Sequence, residues 1–253
     1  MKINTTIAIP KILGSNLSRY SQKNIFLLSW SKINLFLQCP RCFYKEQVLQ
    51  IKRPGFDPET FCLQNVIDEL WKREFDQYRE KNEPHPLMLQ NNIDAVPLNS
   101  KILKEWRNYK TGGIQYKDQK NGFILSGVID DLWINPKGEL IIVDYKTTTM
   151  DRAISLSNST KWAFNNKRQL GFYNYILKKR GLKVSPVGYF VVSKVIKDKP
   201  LFDQRLEFES SILPYTIDDL WVERTLVDIF NCLALTNLPE PTRYCAVCKF
   251  TLN

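Results

Sequence analysis

The sequence predicts a mixed α/β domain, and two observations carry that prediction. Apolar residues recur at a helical period early in the chain, alternate as in strands from about residue 123, and later return to a helical period. The resulting order of elements is helix, β-hairpin, helix, strand, strand and helix, and neither an internal repeat nor a linker divides it. We therefore expect one domain that combines helices with a sheet.

The first elements are helical. A helix over Ser29–Gln50 is interrupted at the sequence CPRC, and a loop with two prolines follows it. Apolar spacing predicts an amphipathic helix over Glu59–Lys81. The next segment, residues 82–122, contains many prolines and glycines, so we expect irregular chain there with a short helix near residues 100–109.

The later elements include the strands. Phe123–Ile134 and Glu139–Thr147 alternate apolar and polar residues and flank Asn-Pro-Lys-Gly, which predicts a β-hairpin. A basic helix over Lys161–Arg180 ends before Gly181, because glycine closes helices readily. The remaining elements are two strands and a helix, namely Val187–Val195, Leu206–Ser210 and Asp218–Leu235.

The composition narrows the class of protein. The 253 residues are 43% hydrophobic and 25% charged, which is typical of a globular protein and excludes collagen-like and disordered chains. Without a membrane-length apolar run or a secretory signal, we expect a cytoplasmic protein with no membrane partner. The single histidine, His85, excludes sites that need two histidines, and no nucleotide-binding glycine motif occurs. Enzymatic chemistry must therefore come from carboxylates, lysine or cysteine.

The net charge of +10 is unevenly distributed. Residues 1–56 hold nine basic residues and one acid, and residues 152–197 hold ten basic residues and no acid. Aromatic residues interleave the second segment, namely Trp162, Phe164, Phe172, Tyr173 and Tyr175. Basic residues neutralise phosphates and aromatic rings stack on bases, so two such segments favour a nucleic-acid partner over a solvated basic face.

The hairpin turn sets which residues face each other. If Asn135 pairs with Glu139, then Asp130 lies opposite Asp144, with Cβ atoms roughly 5 Å apart, and Lys146 lies on the same strand face. Two carboxylates this close repel each other unless a cation lies between them, and Mg²⁺ or Mn²⁺ suits oxygen ligands. Alternatively, the register slips by one residue and the two acids are unrelated surface residues.

Four ordered segments resemble the PD-(D/E)XK nuclease superfamily, in particular its RecB-like branch, which includes CRISPR-associated adaptation nucleases and AddB-type iron–sulfur nucleases. The GxxD strand is matched by Gly127–Asp130, and the following (I/V)-D-x-K-T by Val143–Thr147. The Q-x-x-x-Y of the next helix is matched by Gln169–Tyr173, and the opening with CPRxFY by Ser29–Tyr44.

The resemblance implies a restriction-endonuclease-like core, a mixed central sheet flanked by helices, with an N-terminal helical region and a C-terminal cysteine tail that closes back on it. It implies a single nuclease domain over residues 25–253, in which residues 53–122 are a helical or irregular insertion. Residues 1–24, rich in Ser, Asn and Lys, are expected to form a loosely structured lead-in.

The resemblance also implies roles for individual residues. Asp130, Asp144 and the backbone carbonyl of Tyr145 would hold Mg²⁺ or Mn²⁺, and Lys146 would orient the attacking water. Two further residues would position the strand or the lysine, namely Gln169 and Tyr173. Core packing is an equal alternative for the tyrosine.

The branch usually supplies a metal-binding histidine from the early helix, and this chain has none there. Asp68 best matches the position and would be an oxygen ligand in place of the histidine. Glu69 is the alternative ligand, and an ordinary solvated role for Asp68 is the alternative without a metal.

Two CxxC pairs lie near opposite ends of the chain. Cys39, Cys42, Cys245 and Cys248 supply four thiolates, which suit either a [4Fe–4S] cluster or a structural Zn²⁺. The related iron–sulfur nucleases favour the cluster, although they use one upstream and three downstream cysteines. Four free thiols are the remaining alternative. The other two cysteines are expected in the core, namely Cys62 and Cys232.

The function expected from the resemblance is metal-dependent hydrolysis of DNA phosphodiester bonds. We expect an exonuclease acting on single strands or DNA ends, in repair and recombination or in CRISPR or phage DNA processing. One alternative is a nucleic-acid-binding module of the same fold with little catalytic activity. Another is a nuclease subunit that is active only with a helicase or integrase partner.

Overall fold

A computed structural model describes residues 26–53, 63–149 and 161–250. The expected lead-in over residues 1–24 and the expected core residue Cys62 lie outside them. The elements, in chain order, are β1 (Phe26–Ser29), α1 (Trp30–Gln38), α2 (Pro40–Gln47), α3 (Leu63–Lys81), α4 (Pro86–Gln90), β2 (Val96–Pro97), α5 (Lys101–Trp106), β3 (Ile114–Asp118), β4 (Phe123–Gly127), β5 (Asp131–Ile134), β6 (Leu140–Thr148), α6 (Lys161–Lys179), β7 (Val187–Val195), β8 (Phe208–Thr216), α7 (Trp221–Leu233) and α8 (Ala246–Phe250).

The chain divides into two compact units. Of the described residues, the first unit contains 26–53, 116–126 and 220–250, and the second contains 63–115, 127–149 and 161–219. The mixture of helices and sheets confirms the predicted α/β class. The expectation of one nuclease domain over residues 25–253 remains a prediction.

In the first unit, two short helices follow the first strand. Gln38 ends α1, and Cys39 separates it from α2, which begins at Pro40. Proline suits the first turn of a helix, because its φ is already helical and because an N–H group at that position would have no partner within the helix. The interruption predicted at CPRC is therefore confirmed. The two helices pack through Phe36 and Phe43, whose ring centroids lie 5.4 Å apart at 81°.

The second unit contains a five-stranded sheet in the order β2-β5-β6-β7-β8. Strands β6 and β7 are parallel, while the other neighbours are antiparallel. Parallel neighbours need a crossover, and α6 lies between them in the chain and contacts β6. Pro214 lies in the edge strand β8, where a missing backbone N–H is tolerated.

The predicted hairpin register is confirmed. Asp131 pairs with Val143, and Ile134 pairs with Leu140. The side chain of Asn135 accepts hydrogen bonds from two backbone N–H groups within the turn, and Gly138 has a φ of 72°. Local turn chemistry thus fixes which residues of the two strands oppose each other.

The prediction of one strand over Phe123–Ile134 is wrong. The strand β4 ends at Gly127 and belongs to a three-stranded sheet with β1 and β3, while β5 begins at Asp131. The backbone N–H of Ile129 instead donates to the carbonyl of Trp106 at 3.1 Å. A bond to the end of α5 therefore replaces ladder pairing in the segment before the hairpin.

Two further boundaries differ from the prediction. The segment after α3 is more regular than expected, since it contains α4, β2, α5 and β3. The strand predicted over Leu206–Ser210 begins at Phe208 and extends to Thr216, because it pairs with β7 along its whole length.

Helix α3 covers one face of the five-stranded sheet. Phe75 stacks on Trp133 with ring centroids 5.5 Å apart, and Tyr145 joins the same buried cluster. On the opposite face of the hairpin, Leu132 and Ile142 are also buried. Within the described parts of the chain, no helix combines the length and the apolar composition that crossing a membrane requires.

Candidate active site and cysteine site

Two carboxylates meet where β5 begins beside β6. The β5–β6 ladder starts at the Asp131–Val143 pair, so Asp130 lies one residue before it, next to Asp144. The backbone N–H of Tyr145 donates to Oδ2 of Asp130 at 3.1 Å. Burial and then the Asp144 charge raise the pKa of Asp130 to about 7, as expected for neighbouring carboxylates.

Lys146 reaches the same carboxylate pair. Its Nζ lies 2.5 Å from Oδ2 of Asp144, which is two residues earlier and therefore on the same strand face. Burial lowers the pKa of Lys146, but the carboxylates of Asp144 and Asp130 outweigh this effect and raise it. The ammonium group therefore remains charged at neutral pH, where it can donate hydrogen bonds but cannot accept a proton.

A pocket of 510 Å³ in the second unit contains this site. The side chain of Tyr145 packs in the core and donates to Asp131, so its backbone is the part that faces the pocket. The residues that line it are of polar types, namely Gln64, Asn65, Asp68, Asp130, Tyr145, Lys146, Thr147, Thr148, Thr149 and Gln169.

Helix α3 places Asp68 in this pocket. Its Oδ2 lies 2.6 Å from Nζ of Lys72. Burial and then the Asp130 charge raise the pKa of Asp68 to about 6. The neighbouring Glu69 has a side chain that is 59% exposed, against 26% for Asp68. Asp68 is therefore the better placed of the two candidates beside the carboxylate pair.

The carboxylates fit a hard divalent cation. Among the described residues, Oδ1 of Asp144 and Oδ1 of Asp68 are buried and accept no hydrogen bond. A buried carboxylate oxygen without a partner is costly, and coordination by Mg²⁺ or Mn²⁺ is a way to satisfy it. Burial is the larger cause of the raised pKa values of Asp130 and Asp68, and the charge of a neighbouring carboxylate adds to it in each case.

Gln169 and Tyr173 lie together on α6. The amide Nε2 of Gln169 donates to the Tyr173 hydroxyl at 3.1 Å, and Gln169 lines the pocket. Tyr173 itself is only 3% exposed, and its ring fits against Gly127, where an added Cβ would come within 2.4 Å of the ring. Tyr173 therefore packs in the core and also contacts the pocket residue Gln169.

A buried charge network lies behind Asp130, and the sequence analysis missed it. Asp131 is fully buried, and its carboxylate lies 2.6 Å from the Arg79 guanidinium and 2.9 Å from that of Arg107. Both arginines also contact Asp76, at 2.9 and 2.8 Å. In addition, Nε of Arg107 donates to the backbone carbonyl of Asp130 at 2.8 Å. The network therefore holds Asp130 in place, although Asp130 lies outside the β5–β6 ladder.

The four paired cysteines meet in the first unit. Cys39, Cys42 and Cys248 are buried, and Cys245 is half-buried. Although burial opposes it, backbone hydrogen bonds from Cys42 and Thr242 lower the pKa of Cys39 to about 7. The two CxxC pairs thus form one cluster of potential metal ligands, as the sequence predicts. Cys232 is buried in α7, which confirms its expected core position.

The aromatic residues of the basic segment are mostly core residues. Phe172, Tyr173 and Tyr175 are buried, so the expectation that they could stack on bases is wrong for these three. Phe164 is 42% exposed, and the Arg168 guanidinium lies 4.0 Å from its ring centroid. The side chain of the fifth residue, Trp162, lies outside the described part.

Comparison with known proteins identifies one family. The model of the PD-(D/E)XK nuclease superfamily matches residues 59–251. No curated protein matches the chain. Solved structures that match include "Crystal structure of SSO0001", which is 14% identical over 85% of this chain and 79% of that chain. The TM-score of this match is 0.38.

Proposed function

The chain belongs to the PD-(D/E)XK nuclease superfamily, and we propose that it hydrolyses DNA phosphodiester bonds with the help of Mg²⁺ or Mn²⁺. The observation that supports this proposal best is that Asp130 and Lys146 line one pocket, with the buried Asp144 next to both of them. Their proximity concentrates ligands for a metal beside a cation that can contact a phosphate. Membership in the superfamily also accords with the restriction-endonuclease-like fold expected from the sequence.

The metal would be held by the carboxylates of Asp130 and Asp144, with the backbone carbonyl of Tyr145 and Asp68 completing the protein ligands. A bound divalent cation lowers the pKa of a water molecule and polarises a phosphate oxygen. Asp68 is proposed in place of the histidine found in the RecB-like branch, because it faces the pocket with an unpartnered buried oxygen.

Lys146 acts in this proposal as a cation and a hydrogen-bond donor. Its raised pKa keeps it protonated, so it orients the attacking water and offsets negative charge that develops on the phosphate. Gln169 presents its amide to the pocket, and Tyr173 holds that amide in place through the 3.1 Å hydrogen bond.

The experiment that tests this function is cleavage of end-labelled single-stranded DNA, duplex DNA and RNA with Mg²⁺, Mn²⁺ or a chelator. We expect metal-dependent cutting of DNA by the wild type and its loss in Lys146→Ala. Lys183→Ala is the matched control, because Lys183 is also paired with an acid, Glu139, but is 63% exposed. The ladder of products distinguishes an exonuclease from an endonuclease.

The missing histidine supports a second candidate, a nucleic-acid-binding module or a subunit that needs a helicase or integrase. DNA binding without cutting under every metal would refute activity of the isolated chain and favour these alternatives. RNA cleavage without DNA cleavage would overturn the choice of substrate.

A further inference from the structure

The sulfur atoms of Cys39, Cys42, Cys245 and Cys248 are close enough to share a single ion. Sγ of Cys42 lies 3.5 Å from Sγ of Cys245 and 3.5 Å from Sγ of Cys248, and Cys39 lies 3.8 Å from Cys248. All four sulfurs lie within 4.8 Å of one another. Tetrahedral Zn²⁺ with Zn–S bonds of about 2.3 Å places its ligand sulfurs roughly 3.8 Å apart.

Disulfide bonds and an iron–sulfur cluster fit the observed positions of these sulfur atoms less well. A disulfide requires sulfurs about 2 Å apart, and all four cysteines are free. In a [4Fe–4S] cluster each thiolate binds a different iron atom, so the ligand sulfurs are separated by the width of the cluster. The observed set has the dimensions of a single-ion site, and its arrangement as two CxxC pairs is typical of structural zinc.

Hydrogen bonds around the cluster hold both cysteine pairs in place. Nε of Arg41 donates to the carbonyl of Pro239 at 2.8 Å, and the Thr242 hydroxyl donates to the carbonyl of Gln38 at 2.8 Å. The Tyr44 hydroxyl donates to the carbonyl of Leu235 at 2.8 Å. Because these bonds join the segment around α2 to the segment before α8, the thiols are arranged by the surrounding protein.

We propose that Cys39, Cys42, Cys245 and Cys248 bind one Zn²⁺ as a structural site that fastens the start of α8 to the start of α2. The short sulfur–sulfur distances are the reason for choosing zinc over the iron–sulfur cluster that the sequence resemblance favours. Zinc has no redox chemistry, so the site would stabilise the first unit and transfer no electrons. This proposal does not depend on nuclease activity.

The test is metal analysis of the full chain, purified without oxygen from cells supplied with both iron and zinc. We expect about one zinc per chain, no acid-labile sulfide and no visible absorption. Cys42→Ser should lose most of the zinc, while Cys232→Ser should keep it, because Cys232 is a buried thiol outside the cluster.

A second measurement covers the case in which Cys42→Ser does not fold. Zinc is removed from the wild type with a chelator and replaced by Co²⁺, and intense visible bands of a tetrahedral thiolate complex should appear. About four iron atoms and four sulfides per chain would overturn the proposal. Protein that contains neither metal and fails to bind Co²⁺ would overturn it as well.

Discussion

Replacing Arg107 by lysine tests whether the buried network positions Asp130 or merely stabilises the fold. Arg107 and Arg79 contact the same two carboxylates, Asp76 and Asp131. They differ because Arg107 also donates to the backbone carbonyl of Asp130 at 2.8 Å, whereas Arg79 donates to that of Leu98 at 2.6 Å. Arg79→Lys is therefore a matched control with similar electrostatic losses.

Both substitutions remove charge-assisted hydrogen bonds, each worth about 1.5–3 kcal/mol. We expect each variant to lower the free energy of unfolding by about 2–4 kcal/mol, because lysine cannot reproduce the planar guanidinium contacts. Residues that hold a metal ligand in place change metal affinity by about 10–100-fold when mutated. Arg107→Lys should therefore weaken Mn²⁺ binding by about 1.4–2.8 kcal/mol, while Arg79→Lys should leave it nearly unchanged.

Isothermal titration with Mn²⁺ measures the affinity at a temperature where all three proteins are folded, and urea denaturation measures stability. Hydrogen exchange of the metal-free proteins adds a structural readout, since the Tyr145 amide that donates to Asp130 should exchange faster in Arg107→Lys. Unchanged Mn²⁺ affinity in a destabilised Arg107→Lys would refute the positioning role. Equal loss of affinity in Arg79→Lys would show a general effect of the network.

Three further predictions concern the same unit. Asp130→Asn should stabilise the metal-free protein, because it removes one of two adjacent carboxylates. The shift in the pKa of Asp130 from 3.8 to about 7 sets an upper limit of about 4 kcal/mol. Because Asp130 is only half-buried by its exposed surface, we expect about 2 kcal/mol. Because burial raises this pKa, the penalty in the wild type is complete above about pH 7 and vanishes below about pH 4, so urea denaturation with a chelator should show the stabilisation fading as the pH falls. Gly127→Ala should cost about 1–3 kcal/mol in the same assay, since its Cβ would meet the Tyr173 ring, and a smaller cost in a Tyr173→Leu background would confirm that contact. Tyr173→Phe should cost about 1 kcal/mol or less of stability but lower the rate of cleavage through Gln169, so an unchanged rate would leave the tyrosine with a packing role alone.

The hairpin and its carboxylates could be predicted from sequence because local chemistry decides them. Asn135 and Gly138 fix the turn, and the two-residue periodicity then places Asp144 and Lys146 on one face. The break before Asp130 could not be predicted, because it depends on a hydrogen bond between Ile129 and Trp106, which are far apart in sequence.

The burial of Asp131 could have been predicted from its position in the strand. Strand alternation assigns it to the face that carries Trp133 and Val143, where an acid requires a buried cation. Its partners, Arg79 and Arg107, come from a helix and a helix end elsewhere in the chain, and no spacing rule connects them to it. The acid was therefore detectable, whereas its partners were not.

The burial of the aromatic residues in the basic segment could not be predicted from the sequence either. Phe172 and Tyr175 lie in the amphipathic helix α6, where helical periodicity fits a nucleic-acid-binding face and a core face equally well. Their burial is decided by the packing of α6 against β6, which the sequence does not display.

The two cysteine pairs of the cluster are made at different times during synthesis of the chain. The thiols that meet there are separated by 203 to 209 residues, so Cys39 and Cys42 are made long before Cys245 and Cys248. At about 5–20 residues per second, the first pair waits roughly 10–40 s for the second. During that interval Cys39 and Cys42 lack the two partner thiols that would complete the proposed zinc site. The proposed zinc site can therefore gain its full set of ligands only after Cys245 and Cys248 have been made.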